Sequence, residues 1–474
     1  MSATVSERLV AFMRDCIGHG LPHEVLHETK RLVLNQLKAS VGATNHPTVQ
    51  RLHNWAIEGS TPAGENAHIL WLGGTARPAE TAVVNGALFE VLDFHDTYIP
   101  TFMHAVSGVL PAVLAIAEAR GKNGRDFLNA LAIGIEVELA CATILMPTGY
   151  YRGYVPAGLV GGVGSAAACS VLAGLDDERM CNALGIAMCT AFGTYESVGS
   201  DTLAYITGAT SRSGLVAFEL AERGFTAPRT AFEGEKGMFV THSDESKDKI
   251  DGVLGSLGTD WRIFGQSYKT VPTETITHPP IELVLQLKRR ANGRQVSKMR
   301  FGVEAIVVKI VNERMERFGN PGSDLQARFD LCYCAAAAWE RGRFTLAEMQ
   351  EPAYTDPKIL ALRSRIELVA DPDRKTFEGA WLEIEFTDGT IDKANVDAFL
   401  GTPKNRMSDE QLASVFHHSA GELLSRERAS AILDAVWRLE EEKDLRNFVA
   451  LLTIHPAKST IGLKSSLIRS LQLD

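Results

Sequence analysis

Side chains that could move a proton lie close together in the sequence between positions 93 and 104. Asp93, Asp96 and Thr97 are spaced i, i+3 and i+4, so a helix predicted over residues 79–93 would carry them on one face if it continued. His104 follows Pro100, and a turn there could bring its imidazole back toward Asp93. A carboxylate beside an imidazole orients the ring and stabilises its protonated form. Such a pair can remove a proton from carbon next to a carboxylate or protonate a departing hydroxyl.

Spacing alone leaves two other interpretations of this segment open. Asp and Thr near helix ends are common caps, and a single histidine is often structural. Asp93, His95, Asp96 and His104 are also all candidate metal ligands. The segment lacks a recognised ligand spacing such as H-E-x-x-H, and His95 would point away from Asp93 and Asp96 on a helix. We therefore expect no metal and no cofactor.

A second polar segment, residues 268–280, lies where the predicted helical body meets a strand-containing module. Ligand sites favour such junctions. Lys269 could hold a substrate carboxylate, and His278 could act as a second acid or base. The alternative is a loop fixed by its prolines, with His278 capping the helix that follows.

The spacing of apolar residues along the chain predicts the helices and strands that must position these side chains. Apolar residues recur at helical spacing up to about residue 266 and again after 401. Between them, the β-branched residues 300–311 favour a strand, 326–341 a helix, and 381–386 with 391–396 a hairpin around an Asp-Gly turn. The prediction is a mainly α protein. Residues 1–266 and 401–474 form a large all-helical domain from both chain ends, and 267–400 form an inserted α/β lid domain.

Composition narrows the class of protein. The net charge is −10, from 48 basic and 58 acidic residues, and no basic cluster suggests nucleic-acid binding. The seven cysteines form no C-x-x-C pair, which favours buried thiols in a reducing compartment and a cytoplasmic protein. Charges interrupt the N-terminal segment, so no signal peptide is expected. The uncharged, glycine-rich segment 155–175 is interpreted as a close-packed core helix, with no membrane span.

Short segments spread over nearly the whole chain carry a resemblance to a known family. They are residues 21–25 (LPHEV), 30–37 (KRLVLNQL), 85–86 (NG), 92–97 (LDFHDT), 104 with 109–112 (VLPA), 134–137 (GIEV), 232–237 (FEGEKG), 261–263 (WRI), 277–279 (THP), 325–329 (LQARF) and 401–408 (GTPKNRMS). In this order they resemble the MmgE/PrpD family. The resemblance implies an all-helical domain with an inserted α/β lid, a homodimer, and a cofactor-free site for a small carboxylate in the cleft. Asp93, Thr97, His104 and His278 match positions that the family places in its site, and Lys269 matches a basic position.

The chain departs from the family pattern at two places. Val155 stands where the family often has a histidine, and residues 201–208 lack the usual Lys and His. We expect Tyr154 and Tyr205 to fill the vacated space and bind substrate, with Asp201 as a further candidate. Each charge-assisted hydrogen bond to a carboxylate is worth roughly 1.5–3 kcal/mol. A tricarboxylate should therefore bind poorly unless other cations substitute, for which Arg212, Arg314 and Arg317 are candidates.

The family's dehydratases, epimerases and decarboxylases share one step, the movement of a proton at carbon next to a carboxylate or similar group. We predict a dehydratase acting on a small hydroxy acid, with an epimerase as the alternative. Decarboxylation ranks lower because the family's Lys and His are missing. A non-catalytic binding protein is the competing class, suggested by the apolar Val155, Leu203 and Ile206. The presence of Asp93, Thr97, His104 and His278 argues against it.

Overall fold

The computed structural model describes residues 3–59, 64–421 and 423–453. Up to residue 255 these residues are mainly helical. Their helices are α1 (Val5–His19), α2 (His23–Val41), α3 (Pro47–Glu58), α4 (Pro78–Glu90), α5 (Ala105–Ala119), α6 (Gly124–Leu145), α7 (Thr148–Tyr151), α8 (Pro156–Ala173), α9 (Asp177–Cys189), α10 (Asp201–Glu222), α11 (Met238–His242) and α12 (Lys247–Gly255). The short strands β1 (Ala67–His68) and β2 (Thr75–Ala76) pair with each other, as do β3 (Thr97–Tyr98) and β4 (Gln266–Ser267).

A four-stranded sheet distinguishes the following part of the chain. Its strand order is β6-β5-β7-β8; β5 and β6 are parallel and the other pairs antiparallel. Helices pack around it, and the chain then returns to helices. The elements are α13 (His278–Lys288), β5 (Val296–Val303), α14 (Ala305–Phe318), α15 (Asp324–Ala327), α16 (Leu331–Arg341), α17 (Pro357–Arg363), β6 (Ile366–Ala370), β7 (Ala380–Phe386), β8 (Ile391–Val396), α18 (Asp409–Ala420), α19 (Arg426–Trp437) and α20 (Leu445–Leu451).

Two large hydrophobic cores organise these elements. The first draws its buried residues from positions 5–268 and 407–452, and so contains both ends of the described chain. The second draws them from positions 276–399, with Ile99 as its one contribution from earlier in the chain. The predicted mainly α fold with a smaller sheet-containing part is confirmed. The domain boundaries at 266 and 401 stay a prediction.

Two predicted elements differ in the structure. The strand predicted over residues 300–311 ends at Val303, and α14 begins two residues later. β-branched composition suggested a strand, but the buried positions Val307, Val311 and Arg314 have helical spacing. Arg314 and Arg317 consequently lie on this helix and not in a loop. The helix predicted over 326–341 is divided into α15 and α16, because Asp330 caps the second helix through the backbone N–H of Tyr333. The predicted hairpin is confirmed as β7 and β8.

Close backbone contacts hold α4, α8 and α10 together. A Cβ on Gly208 of α10 would lie 2.1 Å from the carbonyl oxygen of Val83 in α4. A Cβ on Gly214 would lie 2.2 Å from the carbonyl oxygen of Gly162 in α8. Only glycine permits this approach, since any side chain would force the helices apart. The glycine-rich segment predicted to be a core helix is α8, and it is buried throughout most of its length.

Two of the described helices, α6 and α8, have the length and apolar composition needed to cross a bilayer. In the structure 89% of each apolar stretch is buried within the protein. Helices at the centre of a large core have the same composition, because they are covered by apolar neighbours on all sides. All seven cysteines are free thiols, and Cys189 alone among them is exposed.

Candidate active site

The segment after α4 turns sharply and does not continue as a helix. Asp93 has φ of 48°, and its backbone N–H donates to the carbonyl oxygen of Glu90 at 2.7 Å. Thr97 then enters β3 and pairs with Ser267. The expectation that Asp93, Asp96 and Thr97 share a helix face is therefore wrong. Asp96 is buried away from the cleft, where its carboxylate accepts from the Gln36 amide.

Lys269 is the partner of Asp93. Its ammonium donates to the Asp93 carboxylate and, at 2.9 Å, to the Asp93 carbonyl oxygen. Burial alone would raise the pKa of the Asp93 carboxyl, but the Lys269 and His104 charges outweigh it and lower the pKa. Only 1% of Lys269 is exposed. The expectation that Lys269 holds a substrate carboxylate is corrected, because Asp93 already occupies its ammonium.

The loss of this ammonium should destabilise the fold strongly. We expect Lys269→Met to lower the free energy of unfolding by about 3–5 kcal/mol, because Asp93 is left as a buried charge without a partner. Urea unfolding followed by circular dichroism measures the change. Lys298→Met is the matched control, because its ion pair with Glu367 is exposed to solvent and contributes little to stability. Equal effects of the two substitutions would contradict the prediction.

His104 has a tautomer fixed by the backbone. Its Nδ1 lies 2.8 Å from the carbonyl oxygen of Asp96, which can only accept, so Nδ1 carries the proton and Nε2 has the free lone pair. The Thr97 hydroxyl lies 3.3 Å from the same nitrogen. Burial, together with the nearby Lys269 charge, lowers the pKa of His104 to about 4. The ring is consequently a neutral base at pH 7, and it is close enough to Asp93 for each to shift the other's pKa.

A cleft between the two cores contains Asp93, Thr97 and His104. Its empty volume, counted out to open solvent, is about 810 Å³. Its lining contains ionisable and hydroxyl side chains together with aromatic and aliphatic ones. The lining residues are Glu90, Asp93, Thr97, Phe102, His104, Tyr150, Val155, Pro156, Ala157, Tyr195, Val198, Leu203, Thr207, Glu274, Thr275, Ile276, Ile310, Arg314, Phe329 and Phe377.

His278 is placed outside the residues that line this cleft. It is 3% exposed, and its ring packs against Phe399 with centroids 5.0 Å apart. Its Nε2 lies 3.4 Å from the carbonyl oxygen of Thr273. Burial, with a contribution from Lys269, lowers the pKa of the ring to about 3. The structure therefore does not bring His278 to the cleft as the predicted second acid or base. As the first residue of α13, it is enclosed by the second core.

Tyr154 and Tyr205 also lie outside the described cleft lining. The Tyr154 ring packs against His242, with centroids 4.9 Å apart, and Tyr205 is 46% exposed on the solvent side of α10. The expectation that these tyrosines fill the vacated space and bind substrate is corrected. Their apolar neighbours Val155 and Leu203 line the cleft instead. Three further expected groups are elsewhere: Arg212 approaches Glu80, Arg317 pairs with Glu196, and Asp201 pairs with Arg51.

Sequence reasoning missed Glu90, the last residue of α4. Its carboxyl accepts from the Ser107 hydroxyl at 3.3 Å. Burial, followed by the neighbouring Asp93 charge, raises the pKa of Glu90 to about 8. Glu90 is therefore protonated at pH 7 and can act as an acid. Its position three residues before Asp93, on the same face of the helix predicted over 79–93, was the available signal. Its burial, which raises its pKa, could not be inferred from the sequence.

Arg314 of α14 is the one expected substitute cation that reaches the cleft. Its guanidinium forms a two-pronged ion pair with Glu274, one hydrogen bond of which is 2.9 Å long. It also donates to the Tyr195 hydroxyl at 2.6 Å. Glu274, Tyr195 and Tyr150 were not identified from the sequence, although Glu274 belongs to the 268–280 segment that was.

Three side chains beside the cleft bring possible metal-ligand atoms together. The ligand atoms of Glu90, His95 and His104 lie within 4.8 Å of one another. His95 is fully buried, and its Nε2 is 3.5 Å from the Glu90 carboxyl. The Lys269 charge acts on both rings and, after burial, lowers their pKa values. The same charge opposes a second cation at this position.

We expect this cluster to bind no divalent ion tightly. Purified, untagged protein incubated with zinc chloride and then desalted should retain less than about a tenth of an ion per chain. Inductively coupled plasma mass spectrometry measures the ratio. Retention of one zinc per chain by the native protein, and its loss in His95→Gln, would contradict the expectation.

The mainly α fold with a smaller sheet-containing part matches what the family resemblance implied. Two family models match the sequence: the MmgE/PrpD N-terminal domain over residues 7–251 and the MmgE/PrpD C-terminal domain over residues 271–441. The chain therefore belongs to the MmgE/PrpD family, and the resemblance is confirmed.

The chain is similar to enzymes of two kinds. Human cis-aconitate decarboxylase is 27% identical over an alignment of 453 residues that covers 92% of this chain and 92% of the relative. The cis-aconitate decarboxylase of Aspergillus terreus (strain NIH 2624 / FGSC A1156) is 24% identical over 93% of this chain and 94% of the relative. The 2-methylcitrate dehydratase of Escherichia coli (strain K12) is 22% identical over 82% of this chain and 86% of the relative. These relatives support dehydratase or decarboxylase chemistry at the level of the family.

Proposed function

We propose that this protein is a cofactor-independent lyase that dehydrates a small β-hydroxy acid by moving a proton at the carbon next to its carboxylate. The observation that carries this proposal is the pairing of His104 and Glu90 in one cleft. The first is a neutral base and the second a protonated acid at pH 7. Environments that push two pKa values apart in this way assign the base and acid roles.

In the proposed reaction His104 is the base. Its Nε2 lone pair takes the proton from the α-carbon, and Nδ1 keeps its hydrogen bond to Asp96. The ring then carries a positive charge, which the nearby Asp93 carboxylate stabilises. A bound substrate carboxylate would add to this effect and raise the ring's pKa above its value in the empty cleft.

Glu90 supplies the acid in the same reaction. Its proton goes to the β-hydroxyl as the carbon–oxygen bond breaks, so the hydroxyl leaves as water and a double bond forms. Glu90 is then a carboxylate and His104 an imidazolium. Transfer of one proton from His104 to Glu90, directly or through water, restores both groups. The atoms therefore balance without a co-reactant.

Decarboxylation is the second candidate, favoured by the cis-aconitate decarboxylase relatives. Glu90 would then protonate the carbon that carbon dioxide leaves. This reaction uses the acid but gives the neutral His104 no role as a base. Epimerisation is the third candidate reaction. It needs a proton donor and a proton acceptor on opposite faces of one carbon.

Proton NMR in heavy water separates these reactions. The panel is 3-hydroxybutyrate, 3-hydroxy-4-methylpentanoate, 3-hydroxy-3-phenylpropanoate, 2-methylcitrate and cis-aconitate. Conversion of a hydroxy acid to an unsaturated acid without loss of carbon dioxide indicates dehydration, and release of carbon dioxide indicates decarboxylation. Deuterium at the α-carbon without a new product shows proton transfer alone, and it indicates epimerisation only where that carbon is stereogenic and its configuration changes. If none of the five acids exchanges a C–H proton or reacts, the lyase proposal fails. Binding of these acids without turnover would then favour a non-catalytic binding protein.

We further propose that the protein is a cytoplasmic homodimer. Its free thiols, one of them exposed, support a reducing compartment. The dimer rests on the family resemblance. Light scattering during size-exclusion chromatography tests it, and a monomer mass would contradict it.

A further inference from the structure

The charged side chains around the cleft neutralise one another before a ligand enters. Asp93 is paired with Lys269, and Glu274 with Arg314. Glu90 is protonated at pH 7 because burial raises its pKa to about 8. Among the described residues that line the cleft, Arg314 is the only one with a permanently cationic side chain. The cleft therefore offers a ligand no uncompensated positive charge.

The hydrogen-bond donors of Arg314 are largely used inside the protein. One terminal nitrogen donates to Glu274 and to the carbonyl oxygen of Phe329 at 3.3 Å. The other donates to Glu274 and to the Tyr195 hydroxyl. This guanidinium is consequently fixed in place and shares its charge with Glu274.

A continuous row of rings forms one apolar part of the cleft. Phe377 from the second core stacks on Phe102 with centroids 5.5 Å apart. Phe102 contacts Tyr150 at 5.0 Å, and Tyr150 contacts Tyr195 at 4.9 Å. Aromatic surface of this kind binds apolar or planar groups well, because it provides a large area without losing much side-chain entropy.

Aliphatic side chains from both cores cover further parts of the cleft. Val155 precedes α8, Leu203 lies in α10, and Ile310 lies in α14. The hydroxyls of Thr97, Thr275 and Tyr150 belong to residues that line the same space, and they are neutral. A carboxylate placed against the aliphatic part would lose its water without gaining a counter-charge.

We propose that the cleft selects a substrate with one carboxylate and a branched or aromatic apolar group, and that it discriminates against tricarboxylates. The proposal rests on the proposed function, since it names the substrate class of the same site. The single carboxylate binds at the polar side, near the hydroxyls and His104. The apolar group lies against Val155, Leu203 and the row of rings.

Isothermal titration calorimetry at pH 7 tests the proposal with two probes that carry no hydroxyl and cannot be dehydrated. These are 4-methylpentanoate, with one carboxylate and a branched tail, and propane-1,2,3-tricarboxylate. We expect the monocarboxylate to bind at least about tenfold more tightly. Equal affinities, tighter binding of the tricarboxylate, or no detectable binding of the monocarboxylate would each overturn the proposal.

Leu203→Lys tests the charge argument by adding one cation to the apolar side. We expect the preference for the monocarboxylate to fall by about tenfold or more, because the ammonium can pair with a second carboxylate. Leu203→Met is the matched control, which changes shape without charge and should keep the preference. An unchanged preference in a folded Leu203→Lys protein would overturn the charge explanation. If that variant does not fold, the comparison of the two probes on the native protein still decides the proposal.

The titration experiment tests the ligand class and the heavy-water experiment tests the reaction, so either proposal can fail while the other stands. The probes report binding alone, so their order of affinity can hold even if no C–H proton is ever exchanged. In that case the function fails and the ligand class stands. Conversely, turnover of 2-methylcitrate or cis-aconitate in preference to the monocarboxylic hydroxy acids would overturn the substrate class and leave the proton-transfer function intact.

Discussion

His104→Asn should reduce α-proton exchange in heavy water by about 10²–10⁴-fold, the usual contribution of a positioned acid or base. The asparagine amide can still donate to the carbonyl oxygen of Asp96, which His104 contacts through Nδ1. It has no counterpart to Nε2, so only the proton-accepting group is removed. The measurement is the rate of deuterium incorporation into a substrate found in the heavy-water panel.

His418→Asn provides the matched control for this substitution. His418 lies on α18, is exposed, and is not one of the residues that line the cleft. Its replacement should leave exchange at the native rate. If His104→Asn retains more than about a tenth of the native exchange rate, the assignment of His104 as the base is wrong.

Glu90→Gln should separate the two halves of the reaction. Glutamine has the same shape and can accept from Ser107, but it has no acidic proton. We expect formation of the unsaturated product to fall by about 10²–10⁴-fold, whereas α-proton exchange continues. Product formation and deuterium incorporation, followed in one NMR sample, give both rates.

The pH profile supplies a second measurement of the same role. In the native protein kcat/KM should fall as pH rises through about 8, because Glu90 loses the proton that it must donate. It should also fall as pH drops through about 4, because His104 becomes protonated and cannot accept a proton. The alkaline fall should be absent from Glu90→Gln and present in the control Glu313→Gln, whose carboxylate is exposed on α14. An alkaline fall that persists in Glu90→Gln would contradict the acid assignment.

Much of the fold could be predicted from local patterns, because periodicity records which face of each element is buried. The helical first part, the hairpin of β7 and β8, and the return to helices after residue 401 all follow from such periodicity. The start of α14 did not, since β-branched residues favour strands locally while tertiary packing selected a helix. The spacing of Val307, Val311 and Arg314 was the better guide.

The sequence predicted which types of residue belong to the site better than it predicted which side chains those residues contact. Asp93 and His104 lie close enough for each to shift the other's pKa, and the sharp turn at Asp93 replaces the continuing helix that was expected to carry Asp93, Asp96 and Thr97. Lys269 and His278 have suitable chemistry, but the Lys269 ammonium is paired with Asp93, and the His278 ring packs against Phe399. Glu90 could not be recognised as an acid, because its raised pKa comes from burial by residues distant in the sequence. Such burial is a property of the assembled protein.

The glycine contacts among α4, α8 and α10 bear on how this protein could acquire new specificity. Main-chain atoms fix the separation of these helices, and the same helices provide Glu90, Pro156 and Leu203 to the cleft. A change of side chain at position 203 alters what a ligand meets without altering where the helices lie. Selectivity can thus evolve by single substitutions on an unchanged scaffold, while the acid and base keep their places.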